Sequence, residues 1–223
     1  MTRAMQQFKG LVRPIYRTAR TQFDRLRLKQ QIRRTPRPLR VVVGAGHHCP
    51  SGWVGTNIHQ LNLLLPADWD FYFAERPITA LLAEHVWEHL TLDEGLLAAQ
   101  NCFRYLHPGG YLRVAVPDGL HPDPAYREHV RPGGTGPGAD DHKIFYTYRS
   151  IGELFARAGF TVKPLEYFDE QGNFHHLPWQ AADGMIRRSF HFDRRNQPGH
   201  PIPAYTSLLI DVHKDGAASP AKE

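Results

Sequence analysis

Three groups of side chains have types and spacings suited to chemistry. Glu84 and His85 follow the apolar run Ile78 to Ala83. If that run is a buried strand, its carboxyl end delivers an acid and an imidazole to the crevice where doubly wound sheets place ligands. The imidazole could act as a general base; the alternative is that the pair only pins the segment that follows. Asp140, Asp141 and His142 come directly after Gly133-Gly134-Thr135-Gly136-Pro137-Gly138. Two carboxylates beside an imidazole suit acid-base work, a metal or a substrate cation, whereas acids ahead of a helix can equally be caps. The glycines read as a lid, and without a Lys-Ser/Thr ending they do not form a triphosphate-binding loop. His85-Val86-Trp87-Glu88-His89 also spells the H-x-x-E-H pattern of inverted zinc peptidases, which sets two histidines four apart on a helix. Here the segment leaves a strand, so no metal is assigned to it.

Elements that could position these groups alternate along the chain. Arg40 to Val43 is a short β-branched run ending at Gly44-Ala45-Gly46, as a buried parallel strand entering a tight loop would. Val54 to Ile58 is a second candidate strand and Ile78 to Ala83 a third or fourth. Thr91 and Glu94 form a capping box for a helix reaching Leu106, which Pro108-Gly109-Gly110 stops. Tyr111 to Val116 is a further strand ending at Asp118, a helix is expected from about Ser150 through Ala158, and Phe160 to Phe168 and Tyr205 to His213 complete the strands. Strand and helix in repetition indicate an α/β domain. Only about ten residues separate the first two strands, fewer than a helical crossover needs, so the first crossover helix is expected to be shortened.

The 223 residues suit one domain with an appendage. Of the 27 Lys and Arg, eleven fall within residues 1–38 against a single acid, Asp24; subtraction leaves 16 bases and 21 of the 22 acids for the remainder. The positive charge therefore belongs to an arm, and a basic body for nucleic acid is not indicated. Apolar residues in that arm, among them Phe8, Leu11, Ile15, Phe23, Leu26 and Ile32, recur at helical spacing between arginines, with a break at Pro14. Such a helix suits an anionic membrane surface or docking on its own domain or a protein partner. The expected division is a basic amphipathic arm and linker at 1–38, a domain at 39–215 and a disordered tail at 216–223. Two cysteines give no disulfide framework. No apolar stretch reads as a signal peptide or a membrane span, so a cytoplasmic location is expected, with peripheral attachment to the inner membrane surface through the arm as an option.

Val41-Val42-Val43-Gly44-Ala45-Gly46, Ala83 to Leu90, and Leu106 to Asp118 stand in an order that resembles small bacterial proteins described as predicted class I S-adenosylmethionine-dependent methyltransferases. The resemblance covers residues 39–213, and Gly134 to Lys143 with Tyr146 and Tyr148 is similar to a hallmark of one subgroup. It implies a Rossmann-like sheet, mostly parallel with a C-terminal antiparallel hairpin, and S-adenosylmethionine over the strand ends. Gly44, Ala45 and Gly46 would let the backbone approach the cofactor. Asn57 stands where the family commonly offers a carboxylate to the ribose, and Glu84 would hydrogen-bond the cofactor. Val42 replaces the acid often found ahead of the glycine turn, and His48 the third glycine. His85, Asp141 and His142 are the catalytic candidates, and Asp118, Asp140 and Tyr146 the substrate-binding ones. The insertion from Asp169 to Pro203, rich in His, Arg and aromatic residues, suits a small-molecule or glycan-like acceptor. The implied activity is methyl transfer; the alternative is a non-catalytic binding or scaffold protein that uses its arm for attachment.

Overall fold

A computed structural model describes residues 21–196 and 203–216. Seven strands form one sheet: β1 (Arg40–Val43), β2 (Val54–Gly55), β3 (Ile78–Glu84), β4 (Leu106–Pro117), β5 (Thr161–Phe168), β6 (Phe174–His176) and β7 (Ser207–His213). Their order across the sheet is β2-β1-β3-β4-β7-β5-β6. β2, β1, β3 and β4 pair in parallel, β7 runs antiparallel to both β4 and β5, and β6 folds back on β5. Five strands thus point one way and two C-terminal ones oppose them, the Rossmann-like α/β class expected from the sequence. Residues 44–53 join β1 to β2 without a helix, as the short spacing requires.

Alternation along the strands sorts side chains onto two different faces. Val41, Val43, Leu81, Ala83, Leu112, Val114, Leu208, Ile210 and Val212 point into the main core. That core is closed by α2 (Pro66–Phe73), α3 (Leu92–Tyr105) and α5 (Tyr148–Arg157). α3 begins with the capping box of Thr91 and Glu94, and α5 with a second one formed by Thr147 and Ser150. α2 escapes a periodicity reading because Trp69, Phe71, Tyr72 and Phe73 crowd one turn without a polar face. The opposite face carries Val42, Ala80, Leu82, Ala115 and Leu209, and no α-helix among the described residues covers it. Trp53, Ile186 and Trp179 cover it instead, the last two from the segment after β6. We call residues 177–196 the cap.

Of the arm, residues 1–20 lie outside the described residues, as do residues 197–202 and nearly all of the proposed tail (217–223). Residues 21–34 are helical and constitute α1. Leu28 and Ile32 are buried in the main core, each contributing about 2 kcal/mol by leaving water. Arg25 pairs with Asp68 of α2 at 2.7 Å, and Lys29 lies over the Phe71 ring. This half of the arm docks on its own domain, one of the two roles its pattern allowed, while Phe23 and Leu26 remain exposed. No helix among the described residues is long and apolar enough to cross a membrane.

The glycine-rich stretch is not a loose lid. A short helix, α4 (Pro124–Val130), precedes it, and its terminal carbonyls need donors. Thr135 and Gly136 give their N–H groups to Glu128 O and His129 O. A Cβ at Gly134 would collide with Glu128 O and one at Gly136 would lie 2.5 Å from His129 O. Glycine serves close packing here.

Candidate functional site

A cleft of about 730 Å³ opens over the carboxyl ends of β1 and β3, inside the range of about 300–1,000 Å³ usual for small-molecule sites. Its floor is Val42 and Leu82, one wall the turn Gly44-Ala45 with His47 and His48, and the other wall the cap. The turn is held from below: Ala45 N donates to Thr56 O at 2.9 Å, and Asn57 closes on Gly46 with its Oδ1 accepting from Gly46 N at 2.8 Å. Gly44 and Gly46 have φ of 65° and 55°, where glycine is the unstrained choice. A Cβ on Gly46 would meet no atom within 4 Å, so the ledge beside the turn is open. Trp53 does not fill it; its ring packs against Gly184 of the cap.

Glu84 and His85 stand in the cleft wall where the strand pattern put them. His85 is the one described non-glycine residue with positive φ, 58°, a conformation that costs about 1–2 kcal/mol. Its N–H donates to Ala115 O at 2.8 Å, which holds the residue to β4. The imidazole is gripped at both nitrogens, with Nε2 2.9 Å from Ser207 Oγ and Nδ1 2.8 Å from Glu88 Oε1. The second contact is short but misaligned for a hydrogen bond, since both Glu88 oxygens count as buried and unpartnered. Nδ1 and the Glu88 carboxylate are thus in close contact without an aligned hydrogen bond. Glu84 Oε1 accepts from Arg188 N at 2.8 Å, tying β3 to the cap.

Buried polar groups on the sheet hold the cap down. Arg113 of β4 faces Asp211 of β7 in register and forms a two-point pair with it, at 2.8 and 2.9 Å. Its Nη1 also donates to Gln180 O and Gly184 O. Arg40 and Tyr111 donate to Ala182 O and Asp183 O. Glu166 is fully buried and accepts from Trp179 Nε1, Phe190 N and Thr206 Oγ. A register shift between Pro164 and Glu166 accompanies this position in β5. So anchored, the cap presents Arg187, Arg188, Arg194 and Arg195 to the cleft. Arg195 is paired with Asp193 at 2.6 Å. Among the described residues no ion pair forms on the side chains of the other three, and the cleft is strongly cationic.

The other expected site residues lie elsewhere. Asp118 does not open onto the crevice: it is fully buried and accepts from Leu120 N and Phe168 N at 2.9 and 2.8 Å. Burial pushes its carboxyl up to about 6, against the pull of those two backbone donors. Tyr146 is a core residue whose hydroxyl lies beside Gly95. Asp140 and Asp141 lie in the tight turn Ala139–Asp141 and His142 follows it; all three are absent from the cleft lining. His142 Nδ1 sits 2.7 Å from Val130 O, and Asp141 Oδ2 is 3.2 Å from His89 Nδ1. Asn57 turns its amide to Gly46 and not into the cleft. Sequence reasoning missed Ser207 as the partner of His85; nothing in a serine at the start of a strand marks it. It also left Arg113 and Asp211 unread, although opposite charges inside two apolar strands were a usable signal.

No protein-family model matches the chain, and no curated protein matches its sequence. Among solved structures, a SAM-dependent methyltransferase from Archaeoglobus fulgidus is similar over 87% of this chain and 94% of its own, at 12% identity and TM-score 0.48. An O-methyltransferase family protein from Burkholderia thailandensis is similar over 89% of this chain and 57% of its own, at 11% identity and TM-score 0.48. A SAM-dependent methyltransferase from Thermotoga maritima, described as a possible histamine N-methyltransferase, is similar over 93% and 98%, at 15% identity and TM-score 0.44.

Proposed function

We propose that the chain is an S-adenosylmethionine-dependent methyltransferase acting on an oxygen or nitrogen of a small acceptor that is anionic or glycan-like. The observation that carries this reading is the cleft of about 730 Å³ with an apolar floor of Val42 and Leu82, walled on one side by the Gly44-Ala45 turn. The residues present fit the cofactor: the turn Gly44-Ala45-Gly46 would take its backbone-hugging part, and an unpaired arginine of the cap its carboxylate. The second oxygen of Glu84, unlike Oε1, makes no hydrogen bond among the described residues and would receive a hydroxyl. When bound, the cofactor supplies an electrophilic methyl group on a sulfonium. The protein's part is to align the acceptor, from which most of the rate would come. Arg187, Arg188 and Arg194 would orient an acid or phosphate group, and His85 Nε2 would take the acceptor proton after exchanging its bond to Ser207. Asp141 and His142 do not line the cleft, which leaves His85 as the catalytic candidate.

Calorimetric titration of the full chain with S-adenosylmethionine and S-adenosylhomocysteine tests this reading. Binding of both is expected, abolished by Ala45→Trp, whose ring would fill the cleft beside the turn, and kept by His85→Ala. Absence of heat with either compound would overturn it. One observation favours a second reading, that of a non-catalytic binding protein: the end of β2 offers the cleft no free polar side chain, because Asn57 is tied at both amide atoms to Gly46. In that case the cationic cleft would bind small anions while ignoring both sulfur compounds.

A further inference from the structure

Behind His85, outside the cleft, a carboxylate sits in the interior in contact with His85 Nδ1 at 2.8 Å but without an aligned hydrogen bond. Glu88 is 0% exposed and neither of its oxygens receives an aligned hydrogen bond. A buried charge in that condition is strongly disfavoured unless something positive meets it. Glu88 lies in the short helical turn Trp87–His89 that follows β3. Next to it are His89 on the same turn and His142, which arrives from the end of the 139–141 turn. One potential ligand atom from each of Glu88, His89 and His142 lies within 4.8 Å of the others. The two rings meet edge to face with centroids 4.8 Å apart.

Nδ1 of each ring is already held. His142 Nδ1 faces Val130 O at 2.7 Å and His89 Nδ1 faces Asp141 Oδ2 at 3.2 Å. A backbone carbonyl behind one imidazole and a carboxylate behind the other are the outer partners that metal-bound histidines have: each fixes the tautomer and leaves Nε2 with its lone pair. We propose that Glu88, His89 and His142 bind a divalent transition-metal ion of the zinc class, with a water in the fourth position on the exposed side of His89. Two imidazoles and one carboxylate with an open position select such an ion over calcium or magnesium, which take mainly oxygen ligands. Tetrahedral ligand atoms around zinc stand about 3.3 Å apart, so the widest pair closes by about 1.5 Å on binding. The His89 side chain, 33% exposed, has room to rotate toward the other two. The arrangement differs from the H-x-x-E-H reading of the same stretch: His85 is not a ligand, and His142 comes from 53 residues downstream of His89. The ion would fasten the 133–142 segment to the end of β3 and settle the charge of Glu88 next to His85.

The full chain without a histidine tag, stripped with a chelator, is titrated with zinc by calorimetry and with cobalt(II) by visible absorption. One equivalent of each is expected, with intense cobalt bands of low-coordinate nitrogen and oxygen ligation. His142→Ala and His89→Ala should each weaken binding at least about a hundred-fold, more than the 10–100-fold typical of losing an outer partner. Glu88→Gln should do the same, and because its core position endangers folding its circular dichroism is checked first; the two half-buried histidines carry the test if it fails. His175→Ala removes another imidazole beside an acid, Asp169, and should leave affinity unchanged. No uptake of either metal, uptake that survives His142→Ala, or uptake lost equally in His175→Ala would each overturn the site.

Discussion

Replacing Arg113 by methionine removes the central tether of the cap while keeping most of the side-chain volume. Arg113 is 2% exposed, so the change strands the Asp211 carboxylate and leaves the carbonyls of Gln180 and Gly184 without donors. Breaking one half of a buried pair costs about 3–5 kcal/mol. The Asp211 side chain retains 12% exposure, which water can use, so the lower end, about 3 kcal/mol, applies. Each orphaned carbonyl adds about 1 kcal/mol. The single variant should therefore lose about 5 kcal/mol, a large part of the 5–15 kcal/mol typical of a domain. Adding Asp211→Leu removes the stranded charge and should recover the pair's share, leaving a deficit of about 2 kcal/mol from the carbonyls alone. Urea unfolding followed by far-ultraviolet circular dichroism gives both values. Limited trypsin digestion reports on the cap separately, since its arginines should be cut faster in both variants. A loss below about 1 kcal/mol in the single variant, or a double variant as unstable as the single one, would refute this account of the anchoring.

Further expectations concern the glycine turn, the strained histidine and the buried acid. Gly44→Ala places a Cβ 2.6 Å from Val86 Cγ2 at positive φ, whereas Gly46→Ala meets only the φ cost; thermal melting should show the former losing at least about 2 kcal/mol and the latter about 1. Equal losses would mean Val86 moves freely. His85→Gly relieves the left-handed backbone that His85→Ala retains, so the glycine variant should be the more stable of the two by about 1 kcal/mol, and the reverse order would deny the strain. Asp118 binds its proton more tightly in the folded state, at about 6 against an ordinary 3.8. Its stabilising contribution is therefore complete below about pH 3.8 and is lost as pH rises through about 6. The stability difference between wild type and Asp118→Asn should fall by about 2 kcal/mol from pH 4 to pH 7; a difference flat with pH would show the two backbone donors balancing desolvation.

What the sequence disclosed follows from how local each signal is. The capping box of Thr91 and Glu94 lies within four residues, and the alternation of Tyr111 to Val116 is complete inside one strand, so α3 and β4 could be read directly. α2 could not, because its aromatic residues pack from several sides and leave no 3.6-residue stripe. The lid expected at Gly133 to Gly138 failed for a related reason: glycine looks the same whether it grants freedom or grants close approach, and only the Glu128 and His129 carbonyls decide. Asp118 occupies the strand end that the topology promised, but its orientation is set by the Phe168 N–H fifty residues away. The cleft's cationic wall was visible as composition in the insertion, while its attachment through Arg113 and Glu166 depends on contacts between distant strands.

Those contacts connect the missing first helix to the character of the site. A mostly parallel sheet is stable only when both faces are covered, and residues 44–53 are too few to cover one. The cap does so instead, but with few apolar residues and many directional bonds to Arg40, Tyr111, Arg113 and Glu166. Polar anchoring of this kind fixes placement more than it adds net stability, so the same segment can carry arginines to the cleft at a defined position over the glycine turn. A ligand joining Arg187, Arg188 or Arg194 to the Gly44 turn then bridges the cap to β1 and must stabilise the closed arrangement by mass action. Saturating ligand should accordingly slow tryptic cleavage of the cap in wild type and partly restore it in Arg113→Met. If bound ligand left the cleavage rate unchanged, the cap would be a passive cover and the cleft wall would have to be built from the sheet side alone.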